Sequence, residues 1–437
     1  MHFDALDIRE LLGDELIERQ ESGYALDGLG TTVRAALEDS QVSTGAIEDL
    51  YDQLDDTRLR PGWTYEEPSE LEEILAAAPG AELLGRPAAS VLRDRVQAAW
   101  LGRCAGCNLG KPVEGGWGRE KLRRYLDLAG AYPLDDYVPA LDPLPGEFTL
   151  HPSWRDATRG HVQGMARDDD TDYTMLALRI LEKYGRNFTS ADVGTEWLLA
   201  LPFHMVYTAE RVAYRNLIYG MAPPATATYH NPYREWIGAL IRGDMFGYVS
   251  PGDPGAAARL AFQDAALSHI ANGIYGEMWS AALVAAAFSA QSARDALEAA
   301  QRVVPGRSRL AEALRTTIDA YSRGASWDDA MASMERRLAG YHWVHTINNA
   351  EVVAAALLWG AGDFSRTIGL AVEAGLDTDC TGATAGSVFG ALHGTEALPG
   401  HWVGPLENEM HSAIFGFEGV RITDLVDRTL KVGEAIA

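Results

Sequence analysis

The apolar positions of this chain recur at helical spacing. In "VLRDRVQAAWLGR", Leu92, Val96, Ala99 and Trp100 fall on one face, the repeat of three and four residues that marks an amphipathic helix. "YTMLALRILEKYG" predicts a compact helix that stops at Gly185, since glycine is a common helix terminator. "DALEAAQRVV", "RLAEALRTTIDAYSR" and "NAEVVAAALLWGAG" read the same way. The alanine-rich "AALVAAAFSAQ" predicts a helix apolar all round, hence buried. Runs of alternating β-branched residues, the mark of half-buried strands, are nearly absent. The predicted fold is all-α.

The pattern breaks in three places. Residues 1–85 are acidic, with helical pieces such as "IRELLGDELIERQ" separated by Pro61-Gly62 and Pro79-Gly80. They predict an N-terminal helical extension packed on a main body of residues 86–437. Residues 130–164 are rich in Pro, Asp and Gly and predict loop, and residues 221–254 predict a second irregular stretch. Loops this long inside a compact unit usually serve binding. No repeat of fixed period is evident.

Composition narrows the function classes. Of 437 residues, 47% are apolar, enough for a sizeable core. The net charge of −25 argues against nucleic acid and anionic membrane surfaces as partners, because both require a basic face. No window is apolar enough for a membrane span. Three cysteines and a start without a basic, apolar leader predict a cytoplasmic protein without a disulfide framework. Cys104 and Cys107 form a lone CxxC, which without a second pair or neighbouring histidines reads as structural rather than zinc-binding.

The candidate chemistry lies in two acidic clusters. "RDDDTDYT" carries Asp168, Asp169, Asp170 and Asp172 at the start of a buried-looking helix. "GLDTDC" carries Asp377 and Asp379 ahead of another, in which Gly382, Gly386 and Gly390 recur every four residues and permit close backbone approach. Two like charges at about 4 Å repel by roughly 4 kcal/mol at an effective dielectric near 20. A helix N-terminus returns only about 0.3–1 kcal/mol per carboxylate. The clusters therefore need water, protons or a cation. Convergence of the two on one or two hard cations is the functional reading, and all-oxygen ligands favour Mg²⁺, Mn²⁺ or Ca²⁺. Solvated helix caps are the bland alternative.

Taken in order, these motifs resemble the ADP-ribosylglycohydrolases of the dinitrogenase-reductase-activating type. "DDDT" at 168–171 is similar to that family's early metal motif and "GLDTDC" at 375–380 to its late one. "LGRCAGCNLGKPVEG" resembles its first glycine-rich helix with the acidic residue after it, Glu114, and "DAALSHIANGIYGEMWSAALVAA" its middle helix–loop segment. The resemblance spans about residues 90–400 and implies an orthogonal helical bundle holding Mg²⁺ or Mn²⁺, binuclear. It implies metal ligation by Asp169, Asp170, Asp377 and Asp379. Asp168 and Cys380 stand where the family has threonine ligands, and Cys107 where it often has aspartate. A thiol suits Mg²⁺ poorly, so Cys380 implies fewer ligands, another metal, or help from Thr381.

The implied reaction is hydrolysis at C1 of a ribosyl group. Asp170 and Asp379 are the expected orienters of metal and water, and Glu114 the candidate acid/base or gate. His269, Asn272, Gly273, Tyr275 and Asn348 are candidate substrate contacts, although a structural histidine is the favoured reading of His269 and a helix cap that of Asn348. Arg242 and Asp244 read as an ion pair or as site residues. The segment 207–248 is expected to roof the pocket, favouring a ribosylated small molecule over an ADP-ribosylated protein. "DDDTD" also satisfies the DDxxD of terpene synthases and "DTDCT" the DxDxT of haloacid-dehalogenase-type phosphatases. Neither has its second motif or its domain context here. A catalytically weak ADP-ribose-binding protein is the remaining alternative, with Cys380 as its sign.

Overall fold

In a computed structural model, residues 7–436 are described; the first six residues of the predicted extension lie outside them. Helices dominate, and one two-stranded antiparallel ribbon, Glu409–His411 with Gly419–Arg421, is the sheet among the described residues. The all-α expectation holds.

Three helices open the chain: α1 (Ile8–Glu21), α2 (Leu29–Glu38) and α3 (Thr44–Asp55). Leu11, Leu12, Leu16, Val33, Ile47, Leu50, Tyr51 and Leu54 form a small core of their own, joined by Val212 from the body. Asp7 and Ser43 cap α1 and α3 by accepting from Arg9 N and Ala46 N, the usual way to satisfy orphan amides at a helix start.

The body is centred on α4 (Ala89–Gly110), α5 (Asp169–Tyr184), α6 (Ala271–Ala287), α7 (Thr346–Trp359), α8 (Phe364–Glu373) and α9 (Thr378–His393). Every residue of α6 is buried, as its all-apolar run predicts. The pair α4–α9 is the tightest in the fold, and glycine makes it possible. A Cβ on Gly102 would sit 2.2 Å from Gly386 O, one on Gly106 2.0 Å from Gly382 O, and one on Gly110 2.1 Å from Thr378 O. The helices run antiparallel, with rising numbers on one meeting falling numbers on the other. The C-terminus of α4 is thereby laid against the N-terminus of α9, where Thr378 Oγ1 donates to Gly110 O at 2.9 Å.

The predicted loops are found. Residues 131–167 are irregular but for one turn, Trp154–Asp156, and residues 221–253 are short helical turns joined by bends. The predicted Arg242–Asp244 pair is a correction: both are buried, but Asp244 binds Arg103 at 2.8 Å, and Arg242 binds Glu210 at 2.7 Å, Asp264, and Glu277 at 3.4 Å. Arg242 and Asp244, on either side of Gly243, thus have separate partners.

Candidate active site

The helix starts converge. Asp168 caps α5 by accepting from Asp170 N at 3.0 Å, and Asp377 precedes α9. Because the glycine seam fixes α9 against α4, both starts and the turn after α4 face one cavity of roughly 520 Å³. Lys111, Glu114, Arg167, Asp169, Asp377, Asp379 and Cys380 line its acidic end. Tyr207, Trp236, His342 and Trp343 line the other walls, and His151 and Asp156 come from the long loop.

Three sets of ligand atoms each lie within 4.8 Å of one another: Cys107–Asp168–Asp170, Asp170–Asp379–Cys380, and Glu114–Asp377–Asp379. Asp170 and Asp379 each belong to two sets. Asp170 Oδ2 and Asp379 Oδ1 are buried and have no hydrogen-bond partner among the described residues. A buried carboxylate oxygen without a partner is costly, and a divalent cation is the group that would satisfy several at once. The donor set therefore fits a hard cation, with two thiols, Cys107 and Cys380, as its soft edge.

Cations of the protein answer only part of the charge. Lys111 Nζ is paired with Asp168. Burial alone would raise Asp168, but this ammonium holds its carboxyl below the ordinary range. Arg103, fully buried on α4, donates to Asp170 O at 2.7 Å and Ile241 O at 2.6 Å and stands 3.3 Å from Asp170 Oδ1. Arg167 binds Asp172 at 2.8 Å, whose other oxygen accepts from Ser412 Oγ and Ala413 N. Asp172 is thus spent on holding the C-terminal segment. For the rest, burial and then neighbouring carboxylates push the acids up: Asp169 and Asp170 through Asp168, Asp377 through Asp379, and Asp379 through Asp168. Glu114, with its side chain 28% exposed, is raised by burial and by Asp379 and Asp377. His151 Nε2 lies 3.7 Å from it.

The middle-segment residues lie elsewhere. Asn272, Gly273, Tyr275 and His269 are not on the cavity wall. Asn272 Oδ1 accepts from Leu310 N at 3.1 Å, and Tyr275 donates to Pro68 O. A Cβ on Gly273 would sit 2.4 Å from Arg234 O, so this glycine serves close packing. His269 Nδ1 meets Ser268 Oγ at 2.8 Å, and burial and Arg242 keep the ring neutral. Asn348 donates to His342 O at 2.9 Å, in the turn that opens α7. Its neighbour Asn349 reaches the acidic cluster instead, accepting from Asp377 N at 3.2 Å and donating to Trp343 O and His345 O.

Sequence reasoning missed Lys111, Arg103, Asn349 and the aromatic wall. Lys111 carried a signal, as a lysine three residues before Glu114 at the end of a glycine-rich helix. Trp236 and His342 carried none, being more than a hundred residues apart in irregular segments.

Among curated proteins nothing matches the chain. A solved structure described as an ADP-ribosylglycohydrolase-related protein complex is similar at 20% identity, covering 80% of this chain and all of that one at a TM-score of 0.45. The profile of the ADP-ribosylglycohydrolases matches residues 88–435, from α4 to the C-terminal helix Ile422–Ala435. With acidic helix starts meeting across a glycine seam inside that span, the chain belongs to the ADP-ribosylglycohydrolase family.

Proposed function

We propose that this protein is a Mg²⁺- or Mn²⁺-dependent hydrolase that cleaves the C1 glycosidic bond of an ADP-ribosyl or related ribosyl substrate. Membership of a glycohydrolase family gives the reaction class. The observation that carries the metal dependence is the pair of buried, unpartnered oxygens, Asp170 Oδ2 and Asp379 Oδ1, within one ligand set. Two sets sharing Asp379 support a binuclear centre. The thiols of Cys107 and Cys380 at its edge favour Mn²⁺ over Mg²⁺. Bound divalent ions would hold ribose hydroxyls and make a bound water more acidic.

The chain's own groups do the remainder. Asp170 and Asp379 orient the attacking water. Glu114, at the cavity edge beside Asp377 and Asp379, is placed to act as the acid/base or gate of the reaction. Carboxylates in these two roles suit an oxocarbenium-like transition state. Lys111 keeps Asp168 ionised and in place as the cap of α5.

The walls built by residues 236–238 and 342–344 favour a ribosylated small molecule over an ADP-ribosylated protein. Lys111 on Asp168 favours the second reading, a weak catalyst that mainly binds ADP-ribose. Turnover of ADP-ribosyl-arginine, of an ADP-ribosylated protein and of free nucleotides, each with Mn²⁺ and with chelator, tests the proposal. Metal-dependent release of ribose-C1 product is expected from the small substrates. Binding of ADP-ribose without turnover would select the second reading. Division near residue 85 and a cytoplasmic setting complete the proposal; the three thiols are free, and no described helix is long and apolar enough to cross a membrane.

A further inference from the structure

The helix α1 lies outside the family match, yet three of its carboxylates are buried in the body: Glu15, Glu18 and Glu21. All three reach the irregular segments that build the aromatic wall of the cavity, Glu18 at 3.8 Å from Arg234 and the other two more closely. Glu15 takes Arg234 in a two-pronged pair at 2.6 and 2.9 Å, and is held itself by Arg19 at 2.6 Å and Tyr51 at 3.0 Å. Glu21 accepts the backbone N–H of His342 at 2.6 Å. Trp236, two residues beyond Arg234, stacks on the ring of His342, with centroids 4.2 Å apart and planes within 3°. Both rings line the cavity.

The two segments are tied to each other and to the body as well: Thr346 Oγ1 donates to Trp236 O at 2.7 Å, Arg309 binds Glu235 at 2.6 Å, Ile270 N donates to Arg234 O at 3.1 Å and Asn348 to His342 O at 2.9 Å. Ile237 N donates to Val344 O at 2.8 Å and Thr346 N to Glu235 O at 3.1 Å. Neither belongs to a long helix that would fix it from within. One helix therefore grips both halves of a stacked pair, one through a side chain and one through the backbone.

We propose that Glu15 and Glu21 are positioning residues that set the substrate-binding wall formed by Trp236 and His342, so that a segment outside the family match tunes affinity rather than chemistry. This rests on the cavity being the substrate site. Loss of a buried acceptor leaves the His342 N–H unsatisfied, and the segment then moves to find water. The side-chain amide of Gln offers the same acceptor oxygen, so Glu21→Gln should preserve the wall where Glu21→Ala does not.

The full-length protein is compared with Glu21→Ala, Glu21→Gln and Glu15→Ala by hydrogen exchange and by steady-state kinetics on ADP-ribosyl-arginine with Mn²⁺. Glu21→Ala and Glu15→Ala should speed exchange in residues 231–238 and 341–346 and raise KM about tenfold with kcat within about twofold. Glu21→Gln should match the wild type in both. Unchanged exchange in these segments, faster exchange spread evenly over the body, or a fall in kcat with KM unchanged would each overturn the assignment. Should Glu21→Ala fail to fold, Glu21→Asp, one methylene short of His342, replaces it with the same expected outcomes. Absence of any turnover in the wild type would count against the proposed function, and the exchange data alone would then decide the positioning role.

Discussion

Two of the buried acidic clusters, one around α1 and one at the starts of α5 and α9, resolve their charge differently. Around α1, Glu15, Glu67 and Glu235 are met by Arg19, Arg234 and Arg309 at 2.6–2.8 Å. The surplus carboxyls, Glu18 and Glu21, are buried, and burial and neighbouring carboxylates push Glu18 up to about 7 and Glu21 up to about 8. At the start of α5 and α9, Lys111, Arg103 and Arg167 are used up on Asp168, Asp170, Asp244 and Asp172. There the surplus carboxyls Asp169, Asp377 and Asp379 line an open cavity. Both clusters hold ligand atoms within 4.8 Å of one another, but it is the second that borders the cavity and can receive a substrate as well as a cation. Acidity alone does not mark a site; surplus negative charge with access to solvent does.

The largest effect is expected where that surplus sits. Asp379→Ala removes a group shared by two ligand sets and should lower kcat on the order of 10³-fold, while the metal-free protein keeps or gains melting temperature because a repulsive charge is gone. Equal turnover by the variant would break the comparison. Gly106→Ala drives a methyl to 2.0 Å from Gly382 O and should cost about 3 kcal/mol in chemical denaturation. It should also displace Asp379 relative to Asp170, so Mn²⁺ affinity falls while hydrogen exchange within α1 does not change.

Lys111→Met leaves Asp168 buried without its cation. Breaking such a pair costs about 3 kcal/mol, read as a lower melting temperature without metal. Saturating Mn²⁺ should restore most of the loss by binding the folded state alone. A loss that added metal does not touch would mean that Lys111 is only a structural partner.

The smallest effect concerns the cluster around α1. Glu21 titrates near 8 in the fold, against an ordinary value of 4.5. Between those values the folded chain holds a proton that the unfolded chain has released. This group's contribution to stability therefore falls as pH rises from 4.5 to about 8 and is flat beyond. Glu18, Glu235, Arg309 and His345 face it. Glu21→Gln should accordingly match the wild type at pH 5 and melt higher at pH 9, by thermal scans in matched buffers. A variant equally stable or weaker at pH 9 would contradict the proton assignment.

Much of the fold was legible because it is local. Helical periodicity gave α4, α5 and α7, and the spacing of Gly382, Gly386 and Gly390 implied a close neighbour. That neighbour was readable too, since Gly102, Gly106 and Gly110 carry the same four-residue spacing. Order and motif brought Asp168–Asp170, Asp377 and Asp379 forward as candidates; the fold sets Asp169, Asp377 and Asp379 on the cavity wall, with Asp168 and Asp170 buried in adjoining ligand sets. What stayed hidden depends on chain reversal. Arg103 finds Asp244 across 141 positions, Glu15 finds Arg234 across 219, and Trp236 meets His342 from separate irregular segments. Polar residues near one another in sequence misled in turn. Arg242 and Asp244 look like partners but bind other residues, and Asn348 drew notice while Asn349 reaches Asp377.

The most direct test is anomalous diffraction from crystals of the full-length protein soaked in Mn²⁺. Peaks are predicted between the carboxylates of Asp170 and Asp379 and beside Asp377 and Glu114. Bare density there, or manganese bound only among Glu18, Glu21 and His345, would contradict the claim that the open cluster is the one built for a cation.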